Sequence, residues 1–329
     1  MLALIISVCI PTYNEEKFIG ECLRALRDSD LSGLPYEIIV SDGGSTDATA
    51  EIVRAWSSEL KITLLNTPNG TASRNLNACL AIAQGKYFCR IDARSRVSPD
   101  YFRVGLAEMR KRVDCVCGVG PSVQMIPSFN DRYCRNMAAF YSSPFLMGPS
   151  EYKRSVFFRN YSGFSGTIYL GFLLVSDVLA IGGFSESLIR RQDIDLYKRL
   201  KEYTGKKLWI SSSLSASYVL KDDSAVSLIR RGFNQGYYAI GATVALRPAH
   251  VIPTIALAVF AVIMFFSPLI SAVVLICYLI ASGVLGALEA GDYRSLFLSM
   301  FVFSSTHLAY VVGNFWGAVH LLKKWLMGN

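Results

Sequence analysis

The segment from residue 37 to residue 49, E-I-I-V-S-D-G-G-S-T-D-A-T, constrains the fold of this chain more than any other. Residues 38–40 are β-branched and follow one another without polar alternation, which predicts a short strand buried on both faces. The run ends at S-D-G-G, and Ser45 and Asp47 are residue types that begin helices. Asp42 therefore lies beyond the carboxyl end of a strand, in the crevice where open α/β sheets bind nucleotides.

Strands and helices alternate over the first ninety residues. Apolar runs predict strands at residues 4–10, 37–40, 61–65 and 87–91, and helical periodicity predicts helices at residues 15–27, 46–56 and 72–84. This alternation predicts an α/β fold, a largely parallel sheet with helices on both faces. Residues 113–171 are less regular, and a helix at 192–203 and a strand at 207–210 follow.

The chain changes character near residue 250. Only three of its 33 Lys and Arg residues, Arg294, Lys323 and Lys324, follow that point. Apolar stretches cover residues 251–266, 269–288 and 296–322, and the second has no charge over its length, enough to cross the hydrocarbon core of a bilayer. We therefore predict one domain over residues 1–240 and a membrane domain over residues 241–329 with two or three apolar helices.

The charges beside the apolar tail predict its orientation. Arg230, Arg231 and Arg247 precede the tail and favour a cytoplasmic front domain. Lys323 and Lys324 favour the same side, which requires an even number of crossings and conflicts with three apolar stretches. A basic front joined to an apolar tail is typical of a domain held against an anionic membrane. Because the basic residues are scattered, we expect no nucleic-acid partner.

Four motifs occur in order. They are P-T-Y-N-E at residues 11–15, D-G-G-S-T-D at 42–47, R-I-D-A at 90–93, and G-G-F at 182–184 followed by Q-D at 192–193. The set resembles the family 2 inverting glycosyltransferases, particularly the membrane-anchored exopolysaccharide branch that includes succinoglycan glucosyltransferases. The resemblance covers about residues 5–240. It implies a GT-A nucleotide-diphospho-sugar transferase fold, a Rossmann-like mixed sheet, followed by C-terminal transmembrane helices.

The resemblance implies a UDP-sugar donor and residues that bind it. The matching positions are Pro11, Tyr13, Glu15, Asp42, Arg74, Asp92 and Arg94. Asp42 matches the acid that accepts a hydrogen bond from the uracil imide, and it acts alone because Gly43 stands where relatives often have a second acid. Arg74 matches a basic residue near the nucleotide, although an exposed helix arginine would look the same.

Asp92 matches the first acid of the D-x-D motif that binds a divalent cation, Mg²⁺ or Mn²⁺, in this family. Such cations prefer oxygen ligands and neutralise the diphosphate leaving group. The second acid is replaced by Arg94, which cannot bind a metal. Two alternatives follow: Asp92 holds the ion with diphosphate oxygens and water, which we favour, or Arg94 supplies part of the positive charge through bidentate contacts.

Asp193 matches the catalytic general base. An inverting transfer needs a carboxylate that takes the proton from the acceptor hydroxyl. Asp195 is a rival for this role, and both acids are also typical of a helix N-terminus. Arg190 and Arg191 lie beside them and would bind phosphate of the acceptor or donor, or be solvated surface residues.

A basic and aromatic segment lies where processive relatives carry Q-x-x-R-W. Gln235 is present, but Tyr238 and Ala239 replace the Arg and Trp, which argues against a chain-extruding synthase. Arg230 and Arg231 would meet the diphosphate of a lipid-linked acceptor. An amphipathic helix leading into the tail would carry the same pattern.

These expectations combine into one function. The chain would be a non-processive inverting glycosyltransferase that moves a hexose, glucose by preference, from a UDP-sugar to a polyprenyl-diphosphate-linked glycan. It would lie in the inner or plasma membrane with its catalytic domain in the cytoplasm, and other polysaccharide-biosynthesis enzymes are further candidate partners. The alternatives are a polyprenyl-phosphate sugar synthase and a catalytically silent scaffold homologue.

Overall fold

A computed structural model describes residues 5–143, 153, 161–188, 190–221, 224–241 and 248–327. Its residues divide into two compact units. The sheet unit comprises Met1–Gln124, Glu151–Arg154 and Phe158–Val219, and the helical unit comprises Met125–Ser150, Ser155–Phe157 and Leu220–Asn329. The predicted boundary between residues 240 and 241 stays a prediction, because compactness alone does not show which parts fold independently.

The secondary structure follows the chain in this order. The strands are β1 (Ile6–Thr12), β2 (Tyr36–Asp42), β3 (Ile62–Asn66), β4 (Tyr87–Arg90), β5 (Ser95–Val97), β6 (Val116–Ile126), β7 (Gly163–Ser165), β8 (Gly171–Leu174) and β9 (Lys207–Val219). The helices are α1 (Ile19–Arg27), α2 (Thr49–Trp56), α3 (Ala72–Ile82), α4 (Tyr101–Lys111), α5 (Arg132–Ser142), α6 (Val175–Ala180), α7 (Gln192–Thr204), α8 (Ala225–Gly241), α9 (Pro248–Phe266), α10 (Pro268–Ala290) and α11 (Leu296–Leu326).

Within the described residues, nine strands form one mixed sheet in the order β3-β2-β1-β4-β8-β6-β9-β5, with β7 beside β9. The first four strands are parallel, as predicted, and β8 runs antiparallel to β4. The register places Thr12 of β1 opposite Asp42 of β2 and Cys9 of β1 opposite Arg90 of β4. The carboxyl ends of β1, β2 and β4 therefore meet at one edge of the sheet.

The core lies on both faces of this sheet. Along β1, Val8 and Ile10 pack with Leu23 of α1, whereas Cys9 points to the opposite face and packs with Leu76 of α3. This period of two is what a strand imposes on its side chains. All five residues are fully buried, which confirms the prediction of helices on both faces.

Strand β6 lies in residues 113–171, the segment with a less regular sequence pattern. Its first eight residues are buried, yet it contains two glycines, which weaken the pattern of a strand. A Cβ added at Gly118 would lie 2.5 Å from the Leu173 side chain, and one at Gly120 would lie 2.6 Å from Ile168. The glycines therefore serve close packing, which the sequence alone does not reveal.

Other boundaries differ for local reasons. Helix α2 begins at Thr49 and not at residue 46, because the Asp47 carboxylate accepts a hydrogen bond of 3.0 Å from the Thr49 backbone N–H. Strand β9 continues to Val219, beyond the predicted end at residue 210, through a serine-rich stretch with weak strand propensity. Helix α4 lies where no element was predicted. Two residues used above, Leu4 and Arg247, lie outside the described residues.

In the helical unit, α8 and α11 lie side by side. A Cβ at Gly236 would fall 1.9 Å from the carbonyl oxygen of Tyr310, and a Cβ at Gly313 would fall 2.0 Å from that of Phe233. Because backbone meets backbone here, only glycine fits at these two positions. Such small-residue contacts are typical of helices that pack in membranes.

Two helical stretches are long and apolar enough to cross a membrane, by length and composition. They are Pro268–Ala290 and Tyr293–Lys323, and the apolar stretch Ile252–Phe266 is shorter. The sequence predicted two or three such helices, and the structure shows two within the described residues. Their connection is held at α5 by an ion pair of 3.2 Å between Arg132 and Asp292.

Candidate active site at the carboxyl edge of the sheet

A cavity of about 190 Å³ lies at the carboxyl ends of β1 and β4. Its lining consists of Pro11, Thr12, Tyr13, Glu15, Gly70, Ala72, Asn75, Arg90, Asp92, Ala93, Arg94 and Tyr218. Five of the predicted donor-binding residues, Pro11, Tyr13, Glu15, Asp92 and Arg94, thus lie around one cavity. They come together because parallel strands present their carboxyl ends at the same edge.

The loop after β1 is bonded to the loop after β2. Asn14 donates its backbone N–H to the Ser45 hydroxyl at 2.9 Å, and its side-chain oxygen accepts from the Thr46 backbone at 2.9 Å. Glu15 donates its backbone N–H to the Thr49 hydroxyl at 2.8 Å. These bonds hold the backbone at Asn14 and Glu15 against the loop after β2, and they explain why both motifs are rich in Ser, Thr, Asn and Asp.

Asp42 ends β2 and is buried, and it is not one of the residues that line the cavity. Its carboxylate accepts hydrogen bonds from the Ser45 backbone N–H, at 3.1 Å, and from the Ser45 hydroxyl. A Cβ at Gly43 would lie 2.7 Å from the carbonyl oxygen of Gly70, so a second acid has no room there. The role of Asp42 in reading the base stays a prediction.

Asp92 is the most constrained carboxylate at the cavity. Arg90 donates to it from Nε at 2.7 Å and from Nη2 at 3.3 Å, and the Tyr169 hydroxyl donates at 2.8 Å. Burial alone would raise the pKa of Asp92, but the charge of Arg90, the bonds from Arg90 and Tyr169, and the charge of Arg94 hold it below its ordinary value. Asp92 is therefore ionised at neutral pH.

Arg94 forms the second ion pair of the cavity. Its Nε lies 3.2 Å from the Glu15 carboxylate, and its guanidinium lies over the Tyr218 ring, 5.2 Å from the ring centre. Tyr218 in turn meets Tyr169 edge-on, with ring centres 5.3 Å apart. The two arginines, two acids and two tyrosines thus form a connected polar and aromatic wall.

The carboxylates of the cavity do not suit a resident divalent cation. Such an ion usually needs uncompensated oxygen ligands, whereas Asp92 is bound by Arg90 and Glu15 is paired with Arg94. Among the described residues, no group of three or more His, Cys, Asp and Glu side chains could hold a metal ion. The predicted cation at Asp92 stays a prediction, and the positive charge at this cavity comes from guanidinium groups.

Asp193 and Asp195 both lie in the first turn of α7, but only Asp195 forms an ion pair within the described residues. Asp195 receives two hydrogen bonds from Arg199, at 2.9 and 2.6 Å, and Arg199 also holds the carbonyl of Gly183 in the G-G-F loop. Asp193 accepts from the adjacent backbone N–H of Ile194 at 2.9 Å. Asp193 is therefore the better candidate for the general base.

The charge of Asp193 reaches Arg90, which lines the cavity. Burial opposes the charged form of Arg90, yet the charge of Asp92 and its hydrogen bonds, followed by Tyr197 and Asp193, raise the pKa of Arg90 above its ordinary value. Asp193 itself does not line the cavity.

The remaining predicted residues lie away from the cavity wall. Arg74 lies in the first turn of α3 and pairs with Glu186 at 3.3 Å, with both side chains about half exposed. Arg190 is exposed, and Arg191 caps α7 with a left-handed backbone at φ 64°. In the helical unit, Arg230 is exposed, Gln235 is half-buried and Arg231 lies 5.2 Å from the centre of the Tyr141 ring. The predicted roles of all six stay predictions.

Positive backbone φ angles occur near the predicted site residues. Among the residues that the structure describes, four non-glycine residues have positive φ: Asn14, Asn69, Leu170 and Arg191. Each adjoins a residue discussed above or one that lines the cavity. Leu170 follows Tyr169, and a branched chain at φ 60° is costly, by about 1–2 kcal/mol. Strain of this kind persists where the surrounding fold holds a functional group in place.

Sequence reasoning missed several residues of the cavity. Arg90 stood within the R-I-D-A motif and could have been chosen by its position two residues before Asp92. Tyr169 lies in the bend before β8 and Tyr218 lies in β9, far along the chain from the motifs, so neither carried a local signal. Their contribution depends on the antiparallel half of the sheet.

Comparison with known proteins places residues 7–170 in the family model described as Glycosyl transferase family 2. The abequosyltransferase RfbV of Salmonella typhimurium is 33% identical over 87 residues, 26% of each protein. Succinoglycan biosynthesis protein ExoA of Rhizobium meliloti is 25% identical over 64% of this chain and 62% of that protein.

An archaeal relative matches a longer part of the chain. The dolichyl N-acetyl-alpha-D-glucosaminyl phosphate 3-beta-D-2,3-diacetamido-2,3-dideoxy-beta-D-glucuronosyltransferase of Methanococcus voltae is 24% identical over 70% of this chain and 71% of that protein. By contrast, the match spans only 16% of TarS, a poly(ribitol-phosphate) beta-N-acetylglucosaminyltransferase of Staphylococcus aureus.

Solved structures share the fold. The mannosyltransferase PcManGT from Pyrobaculum calidifontis, in complex with GDP-Man and Mn²⁺, superposes with a TM-score of 0.61 at 20% identity, over 94% of this chain and 87% of that one. TarS residues 1–349 in complex with UDP-GlcNAc superpose with a TM-score of 0.52 at 16% identity, over 99% and 93% of the two chains. At these identities the similarity shows the fold alone.

Proposed function

We propose, starting from the glycosyltransferase family 2 domain that residues 7–170 form, that this protein moves a hexose from a UDP-sugar to a lipid-linked glycan. The favoured hexose is glucose, and the favoured acceptor is a polyprenyl-diphosphate-linked chain in exopolysaccharide biosynthesis. The chain has a mixed α/β sheet of GT-A type followed by apolar helices. The transfer is inverting and non-processive in this proposal.

One observation carries the proposal. Five residues chosen from sequence motifs, Pro11, Tyr13, Glu15, Asp92 and Arg94, surround a single cavity at the carboxyl edge of the sheet. A donor site and a proton acceptor are the two parts that a glycosyl transfer requires, and Asp193 in the first turn of α7 is the proposed proton acceptor. The UDP-GlcNAc complex of TarS supports the choice of a UDP-sugar, because that structure shares this fold.

The proposed reaction forms one bond, breaks one bond and transfers one proton. The acceptor hydroxyl oxygen attacks the anomeric carbon and forms the new glycosidic bond, while the bond from that carbon to the diphosphate oxygen breaks. The bonding pair leaves with UDP, and the hydroxyl proton passes to the Asp193 carboxylate. Asp42 reads the uracil imide in this proposal, and the wall of the cavity faces the diphosphate.

The acceptor assignment is supported by relatives and by composition. The Methanococcus voltae relative acts, by its name, on a dolichyl-linked sugar phosphate, and ExoA serves succinoglycan biosynthesis. Arg230 and Arg231 on α8 offer guanidinium groups that bind phosphate. Arg190 and Arg191 are proposed to bind phosphate beside Asp193. A lipid-linked acceptor fits a chain with two apolar helices.

The proposed location is the inner or plasma membrane, with the catalytic domain in the cytoplasm. The ion pair of Arg132 with Asp292 requires the start of α5 and the loop between the two long apolar helices to share one side of the bilayer. Asn130 and Tyr293 are exposed and lie within two residues of Arg132 and Asp292, respectively. A cysteine placed at either position should be labelled to the same extent by a membrane-impermeant maleimide. Labelling from opposite sides would contradict this arrangement.

The deciding experiment measures UDP release by the full-length protein in detergent, with UDP-hexoses and a lipid-linked acceptor extract. Asp193→Asn should lower transfer by about 10²–10⁴-fold, the usual contribution of a general base. Asp195→Asn is the matched control, because it removes the same charge from the same helix turn. The interaction that it breaks is the ion pair with Arg199, and not the proposed proton transfer. Its transfer rate should stay within a few-fold of the wild type.

Three outcomes would contradict parts of the proposal. Equal losses of transfer rate in Asp193→Asn and Asp195→Asn would show that Asp193 is not the general base. Full activity of Asp193→Asn with a polyprenyl monophosphate acceptor would indicate a polyprenyl-phosphate sugar synthase, since that anionic acceptor needs no strong base. Failure to release UDP from any UDP-hexose by folded protein would indicate a catalytically silent homologue.

A further inference from the structure

Each acid at the cavity is already paired with a guanidinium. Asp92 binds Arg90 through two hydrogen bonds, and Glu15 lies 3.2 Å from Arg94. The two pairs therefore balance the negative charge of both carboxylates. A divalent cation at this cavity would meet no uncompensated acid, because each carboxylate is already neutralised by a guanidinium.

Both arginines keep unused donors. A guanidinium has five N–H groups, and the bonds to Asp92 involve only Nε and Nη2 of Arg90. Arg94 is paired through Nε, and its buried Nη1 has no hydrogen-bond partner among the residues that the structure describes. A buried donor without a partner is costly, which indicates a ligand that completes it.

The guanidinium groups are also held in place. The Tyr169 hydroxyl donates to the same Asp92 oxygen, Oδ2, that accepts from Arg90 Nη2, and the Arg94 guanidinium lies over the Tyr218 ring. Tyr169 and Tyr218 meet at an interplanar angle of 82°. Preorganised guanidinium forks bind phosphate oxygens in a bidentate manner without a reorganisation cost.

We infer that Arg90 and Arg94 bind the diphosphate of the donor directly and that nucleotide binding does not require a divalent cation. Asp92 and Glu15 are positioning residues in this assignment: they orient the two guanidiniums and keep them apart. The identity of the nucleotide rests on the proposed function, whereas the assignment itself concerns only the diphosphate. It also gives a reason for Arg94 at the position where a metal-binding acid stands in relatives.

The first test is calorimetric binding of UDP to the full-length protein in detergent, with EDTA, with Mg²⁺ and with Mn²⁺. The dissociation constants are expected to agree within about twofold. UDP that binds tenfold or more tightly with a metal, a difference of about 1.4 kcal/mol, would overturn the assignment and leave the proposed function intact.

The second test compares UDP with uridine, which lacks the diphosphate. Arg90→Met and Arg94→Met are each expected to weaken UDP binding in EDTA by at least tenfold and to leave uridine binding unchanged. Equal losses for both ligands, or no loss in either variant, would overturn the assignment. Arg96→Met, an exposed neighbour on β5 that is not among the cavity residues, is the control and should behave as the wild type.

A third variant regenerates the acidic motif. Arg94→Asp restores D-x-D, removes the guanidinium and leaves Asp92 with a second carboxylate two residues away. Its UDP binding is expected to be weak in EDTA and at least tenfold tighter with Mn²⁺. A variant that binds UDP in EDTA as the wild type does would show that Arg94 plays no part.

The same measurements separate the two proposals. Metal-independent binding of GDP without binding of UDP would contradict the UDP-sugar donor and support the arginine assignment. Failure to bind any nucleoside diphosphate, with or without metal, would overturn both. Thermal unfolding of each variant shows that a lost affinity is not a lost fold.

Discussion

The sheet unit and the helical unit differ in the side chains that they expose. In the sheet unit, large apolar residues such as Phe172 are fully buried. In the helical unit, Phe266 and Leu269 are 79% and 77% exposed, whereas Ser299 and Asn314 are 0% and 2% exposed. The first pattern is that of a protein in water, and the second is that of helices surrounded by lipid.

The two units also use glycine differently. In the sheet unit, the glycines of β6 admit the side chains of Leu173 and Ile168. In the helical unit, Gly236 and Gly313 admit the backbone of the partner helix. Helices in lipid lack a hydrophobic driving force between them and pack through close backbone contacts and small polar residues. The two units of this chain therefore use glycine in two different kinds of packing.

The largest expected effect tests the backbone contact itself. Gly236→Val places a branched side chain where a Cβ already falls 1.9 Å from the Tyr310 carbonyl oxygen. Because the backbone cannot yield locally, α8 and α11 must separate, and we expect a loss of at least about 3 kcal/mol. Thermal unfolding in detergent measures it. Val226→Leu, exposed on the same helix, should stay within about 0.5 kcal/mol.

The next effect tests the surroundings of each unit with a matched pair. Ile276 on α10 and Leu179 on α6 are 54% and 52% exposed. Ile276→Asp should cost about 2.5–3.5 kcal/mol if lipid surrounds it and should reduce retention in alkali-washed membranes. Leu179→Asp should change stability by no more than about 0.5 kcal/mol. Equally small effects would mean that both units face water.

A smaller effect tests the polar wall of the sheet unit. Tyr169→Phe removes the hydroxyl that binds Asp92 at 2.8 Å. A hydrogen bond to a charged group contributes about 1.5–3 kcal/mol, so UDP affinity measured by calorimetry should fall by about tenfold. Tyr203→Phe, at an exposed position on α7, should leave the affinity unchanged. Equal UDP affinities of the wild type, Tyr169→Phe and Tyr203→Phe would show that the Tyr169 hydroxyl does not contribute to donor binding.

The smallest effect is a dependence on pH. The folded pKa of Asp92 is below its ordinary value of about 3.9, so its ion pair contributes fully above about pH 4 and is lost as the pH falls toward the folded pKa. The difference in melting temperature between the wild type and Asp92→Asn should be constant from pH 5 to 8. It should narrow below about pH 4. A change between pH 6 and 8 would assign the titration to another group.

Local patterns predicted much of the fold. The parallel strands β1 to β4 and the helices between them follow from apolar runs and helical periodicity, which act over a few residues. The apolar character of α10 and α11 is a matter of composition and was equally visible. Local patterns did not predict strand β6, because its glycines weaken the strand pattern. They also did not predict that α5 belongs to the helical unit.

The candidate site divides in the same way. Motifs located Pro11, Glu15 and Asp92 because loops at the ends of parallel strands carry their chemistry in short sequence runs. The motifs did not show that Glu15 would pair with Arg94, or that Tyr169 would bind Asp92 across the sheet.

The sequence by itself determined the order of elements, the apolar tail and the residue types at the carboxyl edge of the sheet, because these depend on neighbours along the chain. The tertiary structure decided which acids are neutralised, which donors remain for a ligand and which glycines meet backbone. Those outcomes depend on desolvation and on distances between residues far apart in the chain, and both exist only after folding.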